Sequence, residues 1–114
     1  MEIEMTNLDG VAICTVSGEL NSEEIPKLHA AVRVNPAGPV VIDLSNIGGT
    51  SKFDSLDGVV LSALMPLVQH QRGQGHGLGT VLTDPVTLKV LKTTGLAMAL
   101  NIQGTREQAI ASVR

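Results

Sequence analysis

Five consecutive residues, Val40-Val41-Ile42-Asp43-Leu44, set the tightest constraint on how this chain can fold. All but one are aliphatic, and none alternates with a polar neighbour on a regular period. Turn formers bound the run, with Asn35-Pro36-Ala37-Gly38-Pro39 before it and a polar, glycine-containing loop, 45–52, after it. A short run with no polar face reads as a central strand buried on both sides. Such a strand needs a layer of structure above it and another below it.

Helical periodicity flanks the run. Upstream, Ile25, Leu28, Ala31 and Val32 recur at helical spacing. Asn21 and Ser22 are good N-cap residues ahead of them, and Glu23 and Glu24 suit the positive end of a helix. The pattern predicts a helix over about 22–34, with Pro26 tolerable because it lies near the first turn. Downstream, Leu56, Val59, Val60, Ala63, Leu64, Leu67 and Val68 predict a helix over about 55–71, which Pro66 should kink or end early.

The ends of the chain supply more strands. Ile3, Met5 and Leu8 are separated from Val11, Ile13 and Val16 by Asp9-Gly10, which predicts a hairpin with strands at 2–7 and 11–17. A short strand is expected at 78–82. Asp84-Pro85 then opens a helix over 84–94 that Gly95 stops. A weak strand is expected at 98–102, and the capping box Thr105-Arg106-Glu107-Gln108 opens a last helix to about 113. The order β-β-α-β-α-β-α-β-α predicts an α/β fold. Its central, mostly parallel sheet has about five strands, an N-terminal antiparallel hairpin and about four helices. With 114 residues, 1–114 is one domain.

Composition narrows the function. Hydrophobic residues make up 43% of the chain, enough for a core, and Phe53 is the only aromatic among them. A stacking surface for single-stranded nucleic acid is therefore missing. The net charge is −3 and the basic residues are scattered, so direct nucleic acid binding is not expected. Cys14 is the only cysteine, and its apolar setting marks it as a buried core thiol. The longest nearly apolar stretch, 58–68, falls short of the ~20 residues that span a bilayer. No membrane insertion is expected, and a cytoplasmic location is the default because the N-terminus lacks the pattern of a signal peptide.

The catalytic readings fail on context. Glycines at 73, 75, 77 and 79 lie on a path from helix to strand, whereas phosphate-binding glycine loops run from strand to helix. His29, His70 and His76 have no carboxylate or thiol beside them, so no metal site is expected. No Gly-x-Ser-x-Gly nucleophile motif is present. Asp54 and Asp57 are placed to interact with a helix dipole. Asp43 as a phosphoacceptor would need an acidic pair after the first strand and a late lysine, and the hairpin start and the lone Glu19 do not fit that frame. The chain is not expected to be an enzyme or to hold a cofactor.

What remains is Phe53-Asp54-Ser55-Leu56-Asp57-Gly58, with a serine at the start of the central helix. Taken alone, Ser55 is an N-cap residue. A phosphate there adds about −1.5 to −2 charges, which the helix end would receive and Asp54 and Asp57 would repel. A docked partner would feel that change.

Several pieces, in order along nearly the whole length, resemble STAS domains and especially the bacterial anti-sigma factor antagonists. Gly18-Glu19-Leu20-Asn21 looks like that family's Gly-Glu-Leu-Asp at a strand end. Val40-Val41-Ile42-Asp43-Leu44-Ser45 looks like its central strand, Val-Val-Leu-Asp-Leu-Ser. Phe53-Asp54-Ser55 before an apolar helix looks like its Asp-Ser-Ser-Gly switch, and Leu91-Lys92-Thr93-Thr94-Gly95-Leu96 like its Leu-x-x-Thr-Gly-Leu.

The resemblance implies partner switching. An unphosphorylated antagonist binds an anti-sigma factor, which is also a serine kinase and inactivates the antagonist by phosphorylation. It implies Ser55 as the phosphoacceptor. It implies a partner surface that includes Asn21, Thr50, Ser51, Lys52, Phe53, Asp54, Leu56, Asp57 and Gly58. Leu56 and Asp57 depart from the family's second serine and glycine, and the loop after Asp43 is a few residues longer than the family's. A different placement of that gap puts Ser51 at the phosphoacceptor position, or Asp54 as a permanent mimic of the phosphorylated state. The alternative function is a STAS subunit with a fixed structural role in a transport or signalling assembly, without phosphorylation.

Overall fold

The computed structural model describes residues 2–19, 23–34, 38–49 and 56–113. Asp9 and Gly10 both take positive φ, 54° and 80°, as a two-residue turn of the twisted hairpin type requires. They join β1 (Glu2–Leu8) to β2 (Val11–Glu19), with Leu8 opposite Val11. Then follow α1 (Ile25–Val34), β3 (Val40–Gly49), α2 (Leu56–Gly73), β4 (Leu78–Val81), α3 (Pro85–Thr93), α4 (Leu96–Ala99), β5 (Ile102–Gln103) and α5 (Arg106–Val113).

The five strands form one sheet in the order β1-β2-β3-β4-β5, with β1 antiparallel and the rest parallel. Strand order follows chain order, so each crossover steps the same way across the sheet. Right-handed crossovers therefore put their helices on one face. That face holds the larger core, where Leu28 of α1, Leu64 and Leu67 of α2 and Leu91 of α3 pack on Cys14, Ile42 and Leu44. The last helix, α5, is not a crossover and covers the other face, with Ala109 and Ile110 against Val11, Ile13, Val41 and Val81. The strand at 40–44 is buried on both sides, as its sequence predicts.

The glycine run divides between two jobs. Gly75 turns the chain after α2 at φ 76°. Gly77 and Gly79 instead let α5 approach: a Cβ on Gly79 would lie 3.2 Å from the Ala109 carbonyl oxygen, and one on Gly77 3.3 Å from Val113 Cβ. Gly79→Ala must push α5 off the sheet, and a loss of about 1–2 kcal/mol in urea unfolding is expected.

Four expectations need correction. The strand expected at 40–44 continues to Gly49, because β2 also runs on to Glu19 and supplies ladder partners. Ser45, Asn46, Gly48 and Gly49 suit loops by propensity, and tertiary pairing overrides that. The first helix begins at Ile25 instead of 22, so Pro26 is its second residue, where no helical N–H bond is lost. The second helix is not ended by Pro66 but runs to Gly73. The proline ring crowds the carbonyl four residues before it, and the next carbonyl along, that of Ala63, accepts a bond from His29 Nε2 of α1 at 2.8 Å. The weak strand at 98–102 is replaced by α4 and a two-residue β5. Leu96-Ala97-Met98-Ala99 has no β-branched residue and prefers helix. The helices described therefore number five, close to the four expected.

Three caps form as read. Asp84 accepts from the Thr87 amide at 2.9 Å ahead of Pro85, and Gly95 ends α3 at φ 80°. Thr105 Oγ1 accepts from the Gln108 amide at 3.2 Å. Among the described residues, no helix is long and apolar enough to cross a membrane.

Candidate functional site

Two of the stretches singled out in the sequence follow, in chain order, directly on the ends of two adjacent strands. Parallel strands finish at the same edge, and Glu19, the last residue of β2, is the register partner of Gly49, the last of β3. The chain thus leaves the sheet at two neighbouring points, toward Asn21 from one and toward Thr50 from the other. This is the carboxyl end of the parallel strands. Asn21, Thr50, Ser51, Lys52, Phe53, Asp54 and Ser55 lie outside the described residues. Leu56, Asp57 and Gly58 are the first three residues of α2, so the helix begins at the residue after Ser55.

The end of β3 is held from below by a group of polar side chains that points to the α5 face. Asp43 is the one charged residue in the central run, and its side chain is only 4% exposed. Its Oδ1 accepts from the Ser45 hydroxyl at 2.6 Å and the Ser45 amide at 2.9 Å. Its Oδ2 accepts from Arg106 of α5, Nη2 at 2.6 Å and Nε at 3.1 Å. Arg106 Nη2 also donates to Thr15 Oγ1 at 3.1 Å, and Thr15 is the register partner of Asp43. Burial opposes the charge on Asp43, but the bonds from Ser45 and the Arg106 guanidinium outweigh it and hold the carboxyl below the usual aspartate value. Both oxygens are engaged, so Asp43 is not presented to a phosphate donor, in agreement with the sequence argument against that role.

Asp43 sits at a register break. Two steps along β2, from Thr15 to Ser17, face three along β3, from Asp43 to Asn46, and one step from Gly18 to Glu19 faces two from Ile47 to Gly49. The first break frees the Ser45 amide from the ladder, and the Asp43 carboxylate takes it up. The loop that looks long in the sequence is thus partly bulged strand.

The sequence reading missed Arg106, Thr15 and Ser45 as a group with Asp43. The available signal was a lone aspartate in an apolar run, which has to find a cation or several donors. Nothing local says that the cation is Arg106, 63 positions away.

Other candidates are quiet. Cys14 is buried, and burial pushes its thiol up to about 12, which leaves it unreactive at neutral pH. Among the described residues no three histidine, cysteine, aspartate or glutamate side chains are grouped to hold a metal. A shallow groove of about 370 Å³ runs along β5 between Lys92, Met98 and Gln103, with β4 separating it from β3.

No family model matches the chain, and no curated protein matches it. Solved structures do. An anti-sigma factor antagonist from Mycobacterium paratuberculosis is 26% identical, with 99% of this chain and 93% of that one covered and a TM-score of 0.75. The anti-sigma factor antagonist SpoIIAA in its unphosphorylated form is 12% identical, with 97% and 95% covered and a TM-score of 0.70. Bacillus SpoIIAA in its phosphorylated form is 17% identical, with 99% and 100% covered and a TM-score of 0.60. The chain has the STAS-like fold of these antagonists, from its N-terminal hairpin to its last helix.

Proposed function

We propose that this chain, built on the fold of the anti-sigma factor antagonists, acts as one. It binds an anti-sigma factor through the surface that includes Asn21, residues 50–55 and the first turn of α2. Ser55 is the switch: unphosphorylated, the chain binds and the sigma factor is released; phosphorylated by the same partner acting as a serine kinase, it lets go. The chain works as a cytoplasmic regulator of transcription, as a binding protein and not as an enzyme.

The observation that carries this reading is the pairing of Glu19 with Gly49 at one edge of the sheet, with α2 starting at Leu56. In this reading both partner-binding pieces attach there, and Ser55 is the residue that precedes α2 in the sequence. A phosphate there meets the positive end of α2 and the like charges of Asp54 and Asp57. Structural likeness to SpoIIAA in both its unphosphorylated and its phosphorylated form supports a switch built on this fold.

Intact-mass analysis after incubation with ATP and the cognate kinase of the host tests it. One phosphate adduct is expected on the wild-type chain and none on Ser55→Ala. An adduct that persists in Ser55→Ala and disappears in Ser51→Ala moves the switch to Ser51. A chain that takes no phosphate and does not bind the kinase leaves Asp54 as a fixed mimic of the phosphorylated state; one that takes no phosphate but still binds keeps the partner surface and removes the switch.

A further inference from the structure

We propose that Arg106 and Asp43 are positioning residues for the switch: from the far face of the sheet, α5 sets where β3 ends and how the chain enters the segment before α2. The inference rests on the reading of that segment as the partner surface, and its physical part can be tested without it.

The argument begins with the alternation of strand residues. In β3, Val40, Ile42 and Leu44 face the large core and Val41 faces α5. In an unbroken strand, residue 46 would face the large core next and Ile47 would point to the α5 face. Ile47 instead packs against the large core, beside its register partner Gly18. The extra residue between Asp43 and Asn46 makes that change of face possible, since one residue of slip turns every later side chain over.

A bulge leaves backbone groups without ladder partners and needs something to take them. Here the Asp43 carboxylate takes the Ser45 amide and hydroxyl on one oxygen. That carboxylate is buried, and Arg106 neutralises it on the other oxygen. Arg106 also reaches Thr15 on β2, so it clamps both strands at the last regular pair before the break.

Without the clamp, β3 can pair with β2 in plain register. Counted on from Asp43 opposite Thr15, Ile47 would then pair with Glu19 in place of Gly49. Gly48 and Gly49 would pass to the connection with α2, and Ile47 would turn out of the core. Arg106 therefore acts through Asp43 and Ser45 on the geometry at Gly49, not on any partner directly.

Hydrogen exchange on the full chain, followed by NMR, tests the clamp. Arg106→Gln keeps a hydrogen-bonding side chain but removes the charge. Arg106→Lys keeps the charge without the fork. Ile110→Val weakens α5 packing and leaves the clamp alone. Arg106→Gln is expected to speed exchange of the amides at 45–49 by about tenfold relative to Ile110→Val, with Arg106→Lys between them. The specificity constant for Ser55 phosphorylation by the cognate kinase should fall in the same order. Equal exchange at 45–49 in Arg106→Gln and Ile110→Val overturns the inference, as does an unchanged specificity constant in Arg106→Gln. If the wild-type chain takes no phosphate, the Ser55 reading falls and the exchange contrast alone decides whether Arg106 holds the end of β3.

Discussion

Replacing Asp43 by alanine is expected to lower the unfolding free energy by about 3 kcal/mol. The carboxylate accepts four hydrogen bonds from Ser45 and Arg106, and its removal leaves the Ser45 amide unpaired at a bulge. Breaking one partner of a buried ion pair costs about 3–5 kcal/mol. The low end applies because the Arg106 side chain is 40% exposed and water can reach it once Asp43 is gone. Against a total stability of about 5–15 kcal/mol for a domain of this kind, the variant still folds, with a melting midpoint roughly 10–15 °C lower.

The same residue gives a pH signature. Its carboxyl titrates below the ordinary aspartate value in the folded chain because of Ser45 and Arg106, despite its burial. A group whose folded value lies below its unfolded one stabilises wherever it is ionised in both states. Its contribution is complete above an unfolded-state value of about 3.9 and is lost as the pH falls through the lower folded value. Urea midpoints measured from pH 6 downward should therefore converge for wild type and Asp43→Ala at the acid end. A constant gap between them would show that the loss in Asp43→Ala comes from packing and not from the charge.

Leu64→Ala should cost about 3–4 kcal/mol, the other large effect. Leu64 is fully buried in the middle of α2, under the sheet face that carries Cys14, Ile42 and Leu44. The core of the described residues holds no aromatic side chain, since the only aromatic in the chain is Phe53. Small, well-interlocked side chains leave little freedom to collapse into the space, and the cavity term is then kept. Leu64→Met, which conserves volume, should cost under about 1.5 kcal/mol. Urea midpoints with an unchanged slope check both. A Leu64→Ala cost close to that of Leu64→Met would mean that α2 shifts to fill the gap.

Much of the fold is legible because it is written in short-range chemistry. Asp9-Gly10 needs no distant partner to favour left-handed backbone, and the hairpin follows. Asp84-Pro85 and Gly95 bracket α3 with groups that bond within the same turn. The run from Val40 to Leu44 announces a central strand by having no polar face. The site is legible in a weaker sense. The sequence marks Asn21 and residues 50–58, and the sheet brings their attachment points together through Glu19 and Gly49.

What the sequence by itself determined is therefore the class of fold, the hairpin, the central strand and the helix caps, all decided within a few residues of chain. Only the tertiary structure decided how far β3 runs, which face Ile47 takes and which cation meets Asp43. The physical reason is that each of these depends on a partner far along the chain. Residues 45–49, rich in loop formers, become strand only because β2 lies beside them, and Ile47 reaches the core only through a bulge. That bulge is held by Arg106, which arrives 63 residues later on a helix from the opposite face.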